Sequence, residues 1–192
     1  QRYGEEDENV YDNTARSHHT GIGISGTVCR YSDFLSACQK CQNYNHVWSC
    51  PPYDFDVESY WKKYRTLYLL ATKIVYDEDV REKTYTQEEL QEIIRTVLKT
   101  EKHRLGEELL AKEKQYPGSV SLSAGSCDQC ASGCSKEQGK PCRLPETMRY
   151  SIESLGGNVG LTIEKLMGLK LEWMEDGKLP HHFVLVNGLL MV

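Results

Sequence analysis

The side chains best equipped for chemistry in this chain are its cysteines, which fall into two groups of four. The later group, Cys127, Cys130, Cys134 and Cys142, has the spacing C-x2-C-x3-C-x7-C within CDQCASGCSKEQGKPC. Four thiolates within sixteen residues can close a compact loop round a metal centre, because short spacers force the sulfurs to converge. Gly125, Gly133 and Gly139 permit positive φ and let backbone N–H groups turn toward the sulfurs, offsetting the charge of a thiolate-bound centre. Lys136, Lys140 and Arg143 add positive charge to the same window. A zinc site usually takes two separated cysteine pairs; three clustered sulfurs and a fourth behind Pro141 are closer to the layout of a 4Fe-4S cluster. The expected cofactor is therefore an iron–sulfur cluster of the 4Fe-4S kind, with zinc as the alternative.

The earlier group is Cys29, Cys38, Cys41 and Cys50, spaced C-x8-C-x2-C-x8-C and followed by Pro51 and Pro52. A proline after a ligand cysteine removes a competing N–H and fixes the chain's exit. Cys38, Cys41 and Cys50 are candidate ligands for a second metal, with Cys29 or His46 as the fourth, or else the group delivers one sulfur to the other centre. Buried free thiols packing as small hydrophobes are the plain alternative, most of all for Cys29. Disulfides are the less favoured reading for all eight, since disulfide-dense frameworks belong to small chains that lack a core.

The elements that must position these groups read as an α/β chain, with a mostly parallel sheet flanked by helices and the cysteine loops at one end. Residues 1–20 are polar and aperiodic, a surface arm in which His18 and His19 are simply solvated; residues 21–192 form one domain. GIGISG at 21–26 matches a dinucleotide fingerprint only in letters, lacking the strand before it and the long helix after, so a loop or bulged strand is expected. Ser32 is positioned to cap a short helix that carries Cys38 and Cys41, and Asp54 or Asp56 another through Val57, Tyr60 and Trp61. Residues 66–76 are a strand buried on both faces. Thr86 and Glu89 make a capping box for a long amphipathic helix that Pro117-Gly118 stops. Residues 119–125 form a strand of small side chains whose carboxyl end releases the later cysteine loop. A helix from Pro145 through Met148, Ile152 and Leu155, a further short helix from Thr162, and a strand pair or bent strand at HHFVLVNGLLMV complete the chain.

Composition narrows the function. With 192 residues, 39% of them hydrophobic, the chain can bury a core without staples. A formal charge of -5 makes nucleic acid a poor partner. No apolar run approaches the roughly 20 residues of a membrane span and no signal-peptide pattern opens the chain, so a soluble, cytoplasmic protein is expected. No P-loop, nucleophile elbow or zinc-protease helix is present.

ACQKCQNYNHVWSCPPY, followed later by CDQCASGCSKEQGKPCRLPETMRYSIESLGGNV, resembles the DUF2284 family of predicted metal-binding proteins. That family carries C-x2-C-x-x-Y leading to W-x-C-P-P, then a cysteine cluster closed by P-C-x-x-P-E and an R-x-S-x-E-x-x-G helix. The matching residues are Cys38, Cys41, Tyr44, Trp48, Cys50, Pro51 and Pro52, then Cys127, Cys130, Cys134, Pro141, Cys142, Pro145, Glu146, Arg149, Ser151, Glu153 and Gly156. The resemblance covers about residues 29–192 and implies bound metal, with an iron–sulfur centre expected.

Three functions follow. An electron-transfer or redox accessory protein would meet a redox partner protein. A structural zinc module would mediate interactions. An enzyme would use an open cluster iron as Lewis acid, and Glu146, Arg149 and Glu153 are the acid–base candidates. The plain reading of those three is a favourable first-turn carboxylate and an i, i+4 ion pair.

Overall fold

The computed structural model describes residues 31–174 and 177–192 in full, and residues 11–23 as backbone. Strand β1 (Tyr11–Gly23) is followed by α1 (Tyr31–Gln39), α2 (Val57–Trp61), β2 (Thr66–Tyr76) and the single turn α3 (Glu78–Arg81). The long helix α4 (Gln87–Gln115), β3 (Val120–Leu122), α5 (Val159–Met167) and β4 (His182–Met191) complete the order. The strands lie side by side as β1-β2-β4-β3.

Every neighbouring pair in this sheet is antiparallel, which corrects the expectation of a mostly parallel one. The reason is visible in the strand order. Helix α4 does carry the chain from β2 to a β3 that runs in the same direction, but the C-terminal strand β4 inserts between them and opposes both. A strand-helix-strand order in sequence sets the direction of two strands, not their adjacency. Residues 11–20 of the expected polar arm belong, with 21–23, to the edge strand paired to β2 from Tyr11↔Tyr76 to Gly23↔Thr66, and the register shift between His19 and Ile22 agrees with the bulged strand expected at 21–26. Polar residues suit an edge, where apolar ones would invite aggregation.

β2 is buried on both faces because it lies inside the sheet, and its alternate residues feed two cores. Leu67, Leu69 and Ala71 join Trp61 of α2 and Val159 and Ile163 of α5 on one face. Leu70, Ile74 and Tyr76 meet Leu90, Val97 and Leu105 of α4 on the other. Thr86 accepts from the Glu89 N–H while Glu89 accepts from the Thr86 N–H, so the capping box forms as expected. Asp56 caps α2 through a 2.7 Å bond from the Ser59 N–H. Ser32 lies inside α1 rather than ahead of it, and α5 starts three residues before Thr162, capped by Asn158. No helix among the described residues is long and apolar enough to cross a membrane.

The helix expected after Pro145 is absent. Tyr150 and Ser151 are instead drawn alongside the end of β3: Ser123 N–H donates to the Tyr150 carbonyl at 2.8 Å, and Ser123 and Ser151 form an isolated parallel bridge. Two separate turns, at 145–147 and 152–156, flank that extended pair. They lead to Gly156, which holds φ +82° and packs so closely on α1 that a Cβ there would lie 2.5 Å from the Tyr31 Cα.

β3 stops at Leu122, opposite Gly188. β4 continues past it, so its stretch Phe183–Val186 pairs with β2 on one side only. The loop and helix end that carry Cys38, Cys41 and Cys50 face that flank across a cavity.

Candidate metal centre

Successive turns present the earlier cysteines. Cys38 is on the last turn of α1, and Cys41 follows through its N–H bond to the Cys38 carbonyl at 2.9 Å. Cys50 is buried, its N–H bonded to the Val47 carbonyl at 3.0 Å ahead of a cis Pro51-Pro52 bond. All three line a cavity of about 690 Å³ beside the Phe183–Val186 flank. Cys29 lies outside the described residues.

The later cysteines wind through a tighter loop. Gly133 takes φ +78° and returns its N–H to the Cys130 carbonyl at 3.1 Å. Gly139, at φ +64°, closes a 3-10 turn over Ser135–Gln138, and the Ser135 hydroxyl donates to the Pro141 carbonyl at 2.7 Å. Cys127, Cys130, Cys134 and Cys142 all line one cavity of about 400 Å³. His46, a sequence candidate for the earlier group, lines this second cavity instead, 3.4 Å from Glu137.

The two cysteine loops are stitched together. Fully buried Ser49 accepts from the Cys127 N–H at 2.8 Å, and its hydroxyl lies 4.0 Å from the Cys50 sulfur. Asn43 donates to the Ser126 hydroxyl at 3.1 Å and borders both cavities. The Trp48 N–H points at the Cys134 sulfur, 3.4 Å away. Lys136 reaches back from the later loop to the Cys50 carbonyl at 3.1 Å, with its ammonium 5.3 Å from the Trp48 ring centre. The aromatic residues near the earlier cysteines divide: Trp61 belongs to the core, Trp48 sits between the two cysteine loops, and Tyr53 stacks on Phe55 at 4.8 Å while donating to the Ser49 carbonyl.

Burial and neighbouring sulfurs set the electrostatics of both cysteine groups. Burial raises the pKa of the Cys50 thiol, and the neighbouring Cys41 and Cys38 add to the rise. Burial likewise pushes up Cys38, helped by Cys41 and Glu153, and Cys127, where Asp128, Cys130 and Cys142 add to it. Sulfurs that repel one another's negative charge are drawn into their thiolate forms by a bound metal, and binding releases their protons.

All seven described cysteines are free thiols, so none is joined in a disulfide. Among the described residues, no three His, Cys, Asp or Glu side chains converge tightly enough to hold a single ion. A tetrahedral zinc with Zn–S near 2.3 Å would bring its sulfurs into mutual contact. A polynuclear cluster holds its ligand sulfurs farther apart, round a body of its own. Four soft thiol donors lining one cavity suit either kind of group on affinity alone. The later loop would hold such a group through its four sulfurs, with the Trp48 N–H tuning one of them.

The family description of predicted metal-binding proteins matches residues 25–191. The chain belongs to the DUF2284 family. The match spans both cysteine groups, so the family's metal-binding description applies to the region that carries them. Searches of curated proteins and of solved structures find no match.

Of the acid–base candidates, two are structural. Arg149 forms a two-pronged pair with Glu113 of α4, at 2.7 and 2.6 Å, rather than the i, i+4 pair with Glu153. It also donates to the Glu146 and Met148 carbonyls, which pins the turns after Cys142 to α4. Glu146 takes part through its backbone. Glu153 differs. It lines the larger cavity, open to solvent yet walled by protein, and burial raises its carboxyl pKa against the opposing effects of the Ser151 hydroxyl and Lys102. Sequence reasoning missed Ser49, Asn43 and Glu113. The first two are small polar residues whose partners lie some eighty positions away, and Glu113 reads as an ordinary exposed position on α4.

Proposed function

We propose that the protein holds an iron–sulfur cluster, of the 4Fe-4S type, on Cys127, Cys130, Cys134 and Cys142 and serves as an electron-transfer or redox accessory protein. The observation that carries this reading is that four cysteine side chains and no other thiol line one cavity among the described residues. Cys38, Cys41 and Cys50 are the ligands of a second centre at the adjoining cavity. When bound, the cluster supplies a one-electron couple. The chain's own residues keep it in place: the Trp48 N–H and the positive end of Lys136 offset negative charge, and Ser49 ties the two loops into one body. A redox partner protein delivers or removes the electron. Seven free thiols agree with a reducing, cytoplasmic setting.

The test is metal and acid-labile sulfide analysis with an absorption spectrum on protein purified without oxygen. Iron, sulfide and broad visible absorbance are expected. A colourless protein with stoichiometric zinc, unfolding on chelation, would replace this reading with the structural module.

A further inference from the structure

A third cavity, of about 230 Å³, lies between α4 and the end of β3. Its position follows from where β3 stops. Leu122 is the last residue of β3 and lies opposite Gly188, so Asn187, one residue earlier on β4, has no strand partner on that side. Alternation along β4 puts Asn187 on the same face as Leu185, the face on which α4 packs. Asn187 is only 1% exposed and lines the cavity. Its Nδ2 donates to the Leu122 carbonyl at 3.4 Å, while its Oδ1 has no donor among the described residues. A buried acceptor left bare carries the full cost of its lost hydration.

The other polar groups of the wall are engaged with protein or exposed. Lys102 donates to the Asp128 carboxylate and the Ser126 carbonyl, and Arg149 to Glu113. Gln129 and Thr147 exchange bonds at 2.9 and 2.6 Å, and the Ser123 hydroxyl donates to the Gly125 carbonyl at 2.9 Å. His103 and Glu107 are exposed at the rim. A guest would therefore meet one buried hydrogen-bond acceptor and the apolar surface of Leu109, Leu110, Leu122 and Ala124.

Gly106 gives a second, independent sign. It lies in the interior of α4, where only proline is a poorer helix former than glycine. Beyond its chain neighbours and its own helix backbone, no atom comes within 4 Å of where a Cβ would stand, so packing does not demand glycine there. Gly106 lines the cavity, and a side chain at that position would narrow it. An apolar cavity of about 150 Å³ takes up benzene. A cavity of about 230 Å³ has room for one substituted ring.

We propose that this cavity binds a neutral organic molecule the size of one aromatic ring bearing a hydroxyl or N–H group, phenol being the simplest, with its donor on Asn187 Oδ1 and its ring among Leu109, Leu110 and Leu122. Cys127 borders this cavity as well, but no part of the recognition falls to its sulfur. The site thus goes beyond the electron-transfer reading and does not depend on which metal the protein holds.

The experiment is calorimetric titration of the full chain, purified without oxygen, with phenol and with anisole, which has the same ring but no donor. Phenol should bind at least tenfold more tightly. Asn187→Leu keeps the size and removes the acceptor; it should erase phenol's advantage while metal content stays unchanged. Gly106→Leu, which fills the cavity from α4, should weaken phenol at least tenfold. Anisole binding as tightly as phenol, a preference that survives Asn187→Leu, unchanged phenol binding in Gly106→Leu, or no binding of either probe, with water alone on Asn187, would overturn the proposal. If a variant fails to fold, the wild-type ratio decides. Metal analysis of the same sample keeps the two readings apart: protein without iron contradicts the cluster reading and leaves the phenol-to-anisole ratio to be read by itself.

Discussion

The two cysteine-lined cavities sit on opposite sides of one short seam, yet they are built differently. The later one takes all four sulfurs from a single loop of sixteen residues, turned at Gly133 and Gly139, and is walled on its other side by residues 42–48 of the earlier loop. The earlier one borrows from most of the molecule: α1, the start of α5, helix α4 and the unpaired flank of β4 all reach it. A ligand set supplied by one loop can be specified locally and suits a resident inorganic group. A site assembled from many elements is specified by the fold as a whole. Ser49 joins the two, with its hydroxyl accepting from Cys127 and lying beside the Cys50 sulfur.

Substitution of ligands should separate the two most strongly. Cys134→Ala or Cys142→Ala is expected to remove the later centre entirely, lowering iron and sulfide per chain while leaving the share held by the earlier group. Cys41→Ala should do the reverse. Iron, sulfide and electron paramagnetic resonance on each variant check this; loss of all metal in every variant would mean one shared centre and no contrast.

The support of the later loop comes next. Arg149→Ala leaves Glu113, with only 15% of its side chain exposed, without its cation, at a cost of about 3–5 kcal/mol. Urea unfolding of the metal-loaded protein measures it. The same pair sets a pH dependence. Burial works to raise the Glu113 pKa, but hydrogen bonds from Arg149 and Ser121 outweigh it and hold the carboxyl below its ordinary value. A folded-state pKa below the unfolded one gives stability that is full above the ordinary glutamate range and is lost as pH falls through the folded value. Glu113→Gln should flatten that acid limb.

The seam itself should matter less. Ser49→Ala strands the Cys127 N–H, at a cost of about 1–3 kcal/mol, and should loosen both centres together rather than one. Thermal unfolding with metal-release kinetics reads both effects. Smallest is Thr86→Ala at the remote cap of α4, about 1 kcal/mol of stability with metal content unchanged at either site.

How much of this was legible beforehand follows the same division. The later loop, the capping box at Thr86 and β2 declare themselves through spacing and periodicity because their determinants are local. The sheet did not, because β4 pairs between β2 and β3 from the far end of the chain, and no pattern within β4 says which neighbours it will take. Met148, Ile152 and Leu155 keep a helical rhythm, but the bond from Ser123 to Tyr150 extends the backbone between them. That same break turns Glu153 away from Arg149 and into the larger cavity.

The central claim is that the sulfurs of Cys127, Cys130, Cys134 and Cys142 surround a polynuclear iron centre. Iron-edge X-ray absorption on protein purified without oxygen tests it directly. Sulfur-only first-shell scattering with a second shell of iron neighbours, lost in Cys134→Ala, is the predicted result; zinc in place of iron, or iron without an iron neighbour, would contradict it.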